Sequence, residues 1–361
     1  MKKTKILALL LALAMVLSMM ACATPTVDEP APEATEAVTE QNVPEENPET
    51  EAPAENNGEK LVVRVGDFLG ETFLYPVKIA NQMGFFEEEF GKDNIEISIE
   101  YLGSGAVMVE ALTAGELEMS FLGGQPTFSG IANGNGVKVV SMATVSITDP
   151  CLLVAANSDI TDVSQLKGKN LAVNIGTDNH YQLLEMLALG GLTEDDINLF
   201  NLKGQDAFAA LVNGEIDCMQ SIAPNTYKFV NAGDAKILAT LEQTGGRNNQ
   251  VLVATEDFMA NHSDIIVRFL KVLQKALDYY AENTEACNDM IAEYVGADRA
   301  LMDDYMSKYD CSLHLNQQDK DYMERVYNFL IEKDMLTTAI DLDTIYNDTF
   351  LVEAFGTADV H

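Results

Sequence analysis

The sequence predicts an α/β fold of two doubly wound lobes followed by a helical C-terminal tail. Three observations carry this expectation. Short β-rich runs alternate with helical segments from about residue 61 to residue 255, the pattern of a parallel sheet covered by helices. A helix–stop–strand module recurs at an offset of 99 residues, so two α/β units share a topology. Beyond Thr255 the apolar residues fall at helical spacing almost to the end.

In the first unit, Leu61 to Gly66 is a short strand, and a helical segment opened by Pro76 closes at Gly84. Ile95 to Leu102 is the second strand. A helix from about Ser104 to Ala114 is stopped by Gly115, and strands follow at Leu117 to Leu122 and Val137 to Val145. The pattern then restarts. Strands are expected at Leu152–Ala156, Asn170–Ile175, Ile197–Leu202, Ile216–Met219, Lys236–Leu241 and Val251–Thr255, with helices at His180–Leu189 and Ala207–Val212. The repeated module is Ala111-Leu112-x-x-Gly115-Glu116-Leu117-Glu118, matched by Ala210-Leu211-x-x-Gly214-Glu215-Ile216-Asp217. In the tail, Ile266, Phe269, Leu270, Leu273 and Leu277 lie on one helical face.

The N-terminus is an address rather than part of the fold. Lys2, Lys3 and Lys5 precede an apolar run from Ile6 to Met20, a signal-peptide pattern too short for a stable span. The run ends at Ala21-Cys22, a small residue before a cysteine, so residues 1–21 are read as a signal peptide and Cys22 as the lipidated residue. Residues 22–59 carry six prolines, many acids and almost no large apolar side chain, the composition of an extended acidic tether. The net charge is −35, which excludes nucleic acid as a partner, because phosphate binding needs a basic surface. Cys151, Cys218, Cys287 and Cys311 match no zinc or redox spacing. Cys151 and Cys218 sit in apolar strand patterns and are expected as buried thiols, while Cys287 and Cys311 are candidates for pairing.

Two similar α/β lobes imply a cleft, since ligands in open parallel sheets sit beyond the carboxyl ends of the strands. The loops there supply the candidate ligand-binding residues. Asp67, Phe68, Glu71 and Thr72 follow the first strand. Ser104 opens a helix, where free N–H groups favour polar or anionic groups and where simple capping is the competing role. Gly124 and Gln125 leave the third strand, and Ser221 and Asn225 are their counterparts in the second unit. Thr177, His180 and Tyr181 begin a helix after a strand, with the His180 ring in its first turn placed to donate a hydrogen bond and to stack. Thr148 and Arg247 complete the set. No G-x-S-x-G, H-E-x-x-H or Walker loop occurs and the four histidines are scattered, so no catalytic residue, metal or cofactor is expected. Asp67, Glu71, Asp149, Asp178 and Asp206 outnumber Lys203 and Arg247 in these loops. This balance favours a zwitterion, an amine or an aminopyrimidine over a simple dianion.

From about Lys60 to Asp289 the chain resembles the nitrate-, sulfonate- and taurine-binding proteins of ABC importers, a group related to thiamine-pyrimidine synthase proteins. The segments that carry the resemblance are 111–118, Leu122-Gly123-Gly124-Gln125-Pro126, 162–169, Thr177-Asp178-Asn179-His180-Tyr181-Gln182-Leu183-Leu184 and 192–197. It implies a type II periplasmic-binding-protein-like fold with two hinge strands, crossing near Thr148 to Cys151 and near Glu256. Lobe I is then 60–148 with 257–361, and lobe II is 149–256. It further implies an extracytoplasmic, lipid-anchored, monomeric solute-binding subunit that captures a small polar organic solute and hands it to ABC permease subunits. The alternatives are a binding protein for a thiamine-precursor pyrimidine, a pyridoxal-phosphate-using pyrimidine synthase-like enzyme, and a ligand-presenting sensor. Gly124 and Gln125 stand where taurine-type proteins tend to have two serines, and Ile222 stands where they tend to have Trp. The resemblance therefore bears on the scaffold more than on the ligand.

Overall fold

The computed structural model describes residues 60–68, 73–296 and 298–360. The leader, Cys22, the tether, Glu71 and Thr72 lie outside the described residues. The chain begins with β1 (Leu61–Phe68), α1 (Tyr75–Gln82), α2 (Phe85–Phe90), β2 (Ile95–Leu102), α3 (Gly105–Thr113), β3 (Met119–Gly123), α4 (Gly124–Ala132) and β4 (Val137–Ser146). It continues through β5 (Cys151–Ala155), β6 (Asn170–Val173), α5 (Asp178–Ala188), β7 (Asn198–Asn201), α6 (Gly204–Val212), β8 (Cys218–Ser221), α7 (Asn225–Asn231) and β9 (Ala235–Thr240). The last stretch holds β10 (Asn248–Thr255), α8 (Glu256–Asn261), α9 (Ser263–Glu282), α10 (Thr284–Val295), α11 (Arg299–Met306), β11 (Tyr309–Asp310), α12 (Gln317–Glu332) and α13 (Thr349–Phe355).

The strands form a six-stranded sheet, β11-β4-β10-β3-β1-β2, and a five-stranded sheet, β7-β6-β8-β5-β9. β1 runs parallel to β2 and β3, and β6 runs parallel to β7 and β8. The sheets are mixed rather than wholly parallel, because β10 and β5 run antiparallel to their neighbours. Each is the first strand after the chain passes from one sheet to the other. It enters from the side toward which the parallel strands point, so it must run back against them.

Residues 248–255 belong to the first sheet. β10 pairs with β3 and β4 over most of its length, Val251 opposite Leu122 and Val253 opposite Val139. The second crossing therefore precedes Asn248, and the boundary expected at Glu256 moves back by the length of one strand.

The 99-residue repeat is one local device used twice. α3 ends at Gly115 with φ +70° and α6 at Gly214 with φ +73°. The next N–H returns to the helix each time, Glu116 to the Ala111 carbonyl at 2.8 Å and Glu215 to the Ala210 carbonyl at 2.9 Å. The last acid of each module then ties down a neighbouring strand. Glu118 accepts from the Arg64 N–H at 2.6 Å and Asp217 from the Asn170 N–H at 2.9 Å.

β3 is buried along its whole length, as a central strand covered on both faces must be. α9 lays Ile265, Ile266, Phe269, Leu270, Leu273 and Ala276 into the core, against α1, α2 and α13. All four cysteines among the described residues are buried and free. Cys287 and Cys311 are not paired, and the Cys311 thiol donates to the Phe73 carbonyl at 3.3 Å.

An L-residue at the left-handed stop of α6 costs about 1–2 kcal/mol. Gly214→Ala should lower the unfolding free energy by that amount, read from the midpoint of a urea denaturation curve with unchanged slope.

Candidate functional site

The parallel strands of both sheets carry their C-terminal loops to a common region, the place where open α/β sheets bind ligands. The two crossings lie beside it. Ser146, the last residue of β4, is in register with Asn248 of β10 on one side and Tyr309 of β11 on the other. A cavity of about 180 Å³ lies here. The first sheet contributes Phe68 from the end of β1, Phe73, Gly123 before α4, Asn248 and Gln250 from β10, and Tyr309. The second contributes Asn174 after β6, Thr177, Asp178 and Asn179 at the start of α5, and Ile222 and Ala223 after β8. Asp149 stands on the first crossing.

Two carboxylates dominate its electrostatics. Asp149 is buried; its oxygens accept from the Ala223 N–H at 2.9 and 3.0 Å, and one also accepts from the Tyr309 hydroxyl at 2.7 Å. Burial pushes its pKa up to about 6, against the opposing pull of those two donors. Asp178, the first residue of α5, accepts from the Gln125 N–H of α4 at 2.8 Å, a bond from one sheet's layer to the other's. Its pKa is likewise raised to about 6 by burial, with the Gln125 and Gly124 N–H groups acting in the opposite direction. Among the described residues, no lysine or arginine lines this cavity.

Of the residues expected from sequence, Phe68 and Thr177 line the cavity, and Gly124 and Gln125 adjoin it through their backbone N–H groups. Thr177 donates to the Asn174 carbonyl at 2.7 Å. Asp67 is turned away. It is fully buried, ion-paired with buried Lys78 at 2.9 Å, and satisfied further by the Phe68 N–H. Ser104 caps α3 by accepting from the Val107 N–H at 3.4 Å and does not line the cavity. Ser221 and Asn225 line an adjoining hollow of about 360 Å³ with Gln220 and Lys203, which shares Asn174, Asn179 and Ile222 with the cavity. Thr148 and Arg247 line a third, of about 620 Å³, in which Tyr309 also takes part. The Arg247 guanidinium is held there by Asp319 of α12 at 2.8 Å.

The structure places His180 outside the cavity lining. It is buried with its ring edge-on to Phe329 of α12 at 5.6 Å, and its Nδ1 accepts from the Gly176 N–H at 3.4 Å. Burial lowers its pKa. Tyr181 packs on Phe329 and Tyr322 of the same helix. The side of α5 that carries them faces α12 rather than the cavity. Sequence reasoning missed Phe73, Asn248, Gln250 and Tyr309, and it named Asp149 and Asp178 only as part of a charge balance. The available signal was position, since Asn248 and Gln250 begin a strand just after a crossing.

Two mixed sheets, two adjacent crossings and a cavity walled from both sides define the periplasmic-binding-protein fold. The Escherichia coli periplasmic aliphatic sulphonate binding protein SsuA superposes with a TM-score of 0.72 at 20% identity, over 80% of this chain and 92% of its own. The desulfurization enzyme DszB shares the fold as well, with a TM-score of 0.64 at 14% identity over 82% of this chain and 99% of its own. The chain belongs to the NMT1/THI5 like family, whose profile matches residues 72–287. A Bacillus subtilis (strain 168) relative that carries the name of an aliphatic sulfonates-binding protein is 27% identical over 282 residues, 78% of this chain and 85% of its own. The taurine-binding periplasmic protein of Escherichia coli (strain K12) is 28% identical over 220 residues, 60% of this chain and 66% of its own.

A carboxylate whose folded pKa lies above its unfolded value stabilises the fold below the unfolded value, and that stability is lost as pH rises through the folded one. For Asp149 that loss runs from the ordinary carboxylate value of 3.8 up to about pH 6. The thermal midpoint of the unliganded protein should therefore gain less between pH 7 and pH 5 in Asp149→Asn than in the wild type, measured by circular dichroism at both pH values.

Proposed function

We propose that the chain is the extracytoplasmic solute-binding subunit of an ABC importer, capturing a small polar organic solute between its sheets and doing no chemistry on it. The observation that carries this reading is the cavity itself. Its walls come from both sheets, and the chain segments joining those sheets run side by side next to it. A solute held there touches both halves at once, so occupancy favours the closed arrangement and a permease can read that closure. The wall is made of amides, aromatic rings and carboxylates already engaged by protein donors, a set suited to holding and orienting a solute. The names of the relatives support the same reading, and the signal-peptide pattern supports an extracytoplasmic place. Ala21-Cys22 supports a lipid anchor at the end of the acidic tether, with the folded part acting as a monomer.

Small molecules released on denaturing freshly purified protein and identified by mass spectrometry should include one polar organic solute in near-equimolar amount. If none is released and no solute in a broad panel shifts the thermal midpoint, the reading fails. With the solute identified, Phe68→Ala and Asn248→Ala should each weaken binding by about tenfold or more in titration calorimetry. Cys22→Ala should move the protein out of the membrane fraction; equal retention of both forms would remove the lipid anchor.

A further inference from the structure

The Asp178 contact bears on which solutes the cavity accepts. α4 begins at Gly123 and Gly124 with no side-chain cap. A helix N-terminus of this kind presents free N–H groups and about half a positive charge, and it favours an anion. Here an anion is already in place, and it comes from the chain. Asp178 reaches over from the start of α5, and its Oδ1 accepts from the Gln125 N–H at 2.8 Å, with the Gly124 N–H also favouring its charged form. The approach depends on two glycines. A Cβ on Gly123 would stand 2.5 Å from Asp178 Oδ2, and one on Gly124 would stand 3.2 Å from Oδ1.

We propose that Asp178 is a built-in anion that closes the α4 N-terminus to acidic solutes and makes this cavity select a solute presenting nitrogen-bound hydrogen-bond donors, such as an amine, an amidine or an amino-heterocycle. The inference rests on the solute-binding reading above and narrows it. A sulfonate or carboxylate seeking the α4 N–H groups would have to displace Asp178. It would also meet the second carboxylate, Asp149, whose own donors are taken. Among the described residues no cationic side chain lines the cavity itself, and Lys308, whose charge reaches Asp149, is already ion-paired with Asp304 at 2.8 Å. A donor group meets the reverse situation. Gln250 Oε1 is a buried acceptor with no hydrogen-bond partner among the described residues, and it lies 3.6 Å from the same Gly123 Cβ position that Asp178 Oδ2 crowds. Two acceptors thus converge on one corner of the cavity.

The test uses the full chain, freed of co-purified solute by unfolding and refolding, with ethanesulfonate as the probe. Wild type should bind it no more tightly than about 1 mM. Asp178→Ala, which leaves the α4 N–H groups free, should bind it at least about tenfold more tightly, the value of one hydrogen bond to a charged group. Asp178→Asn keeps an acceptor but loses the charge and should fall between the two, which preserves the test if the alanine variant does not fold. Tight binding of ethanesulfonate by wild type would overturn the proposal while upholding the solute-binding reading. No gain in either folded variant would also overturn it. The solute released from wild type should carry at least one N–H donor, and a solute with acceptors alone would count against the proposal. Failure of wild type to yield or bind any solute would instead strike the solute-binding reading, so the two failures are separable.

Discussion

The structure depends on the register at Ser146. This residue ends β4, pairs with the first residue of β10 on one side and meets Tyr309 of β11 on the other. The chain thus leaves the six-stranded sheet and returns to it on adjacent strands. Because β4 and β10 are hydrogen-bonded to each other, the start of the outgoing link and the end of the returning one are fixed as a pair. That pairing limits how the five-stranded sheet can move. Motion about two adjacent links is a hinge, whereas one link would leave a loose tether and two distant links would brace the halves rigidly. Tyr309 adds a third element, its hydroxyl bonded to Asp149 on the outgoing link.

Around this hinge the two halves are clasped at several points in addition to the cavity. Asp178 caps α4, and the Glu185 carboxylate of α5 accepts from the Tyr322 hydroxyl of α12 at 3.1 Å. Lys333, just past α12, pairs with Glu194, and Lys308 donates to the Tyr227 hydroxyl at 2.7 Å. His180 and Tyr181 pack among the α12 aromatics. The Lys333–Glu194 and Lys308–Tyr227 links involve half-buried side chains and are individually weak. A clasp of this kind is suited to a protein that must open, because it is assembled from contacts that water can replace one at a time.

Local features of this fold were legible in the sequence, and pairings between distant segments were not. The strands and helices before residue 241 fall close to their expected places, since apolar periodicity and glycine stops act within a few residues. The repeated module was readable for the same reason. Strand 251–255 is legible as a strand but its sheet is not, because nothing in its own residues states which neighbours it meets. β11 has two residues in a tail read as helical, and its Tyr309 enters the cavity through pairing with Ser146, more than 160 residues earlier. The chemical versatility of the His180 ring is visible in the sequence; its surroundings are not. Its burial is set by Phe329, far along the chain. Asp178 shows the limit most directly. An acid in a first helical turn is an ordinary sequence feature, and only the approach of α4 gives it a role in the cavity.

The state of the cysteines has a consequence for how the folded chain meets oxidants and alkylating agents. Burial raises the thiol pKa of Cys151, Cys218 and Cys287, and pushes Cys311 up to about 12. Since the thiolate is the reactive species, these four side chains are inert while the protein stays folded. Thiol modification becomes a clock for unfolding: Cys151 and Cys218 report on the five-stranded sheet, Cys287 and Cys311 on the rest, and a difference in their labelling rates would order the loss of the two halves.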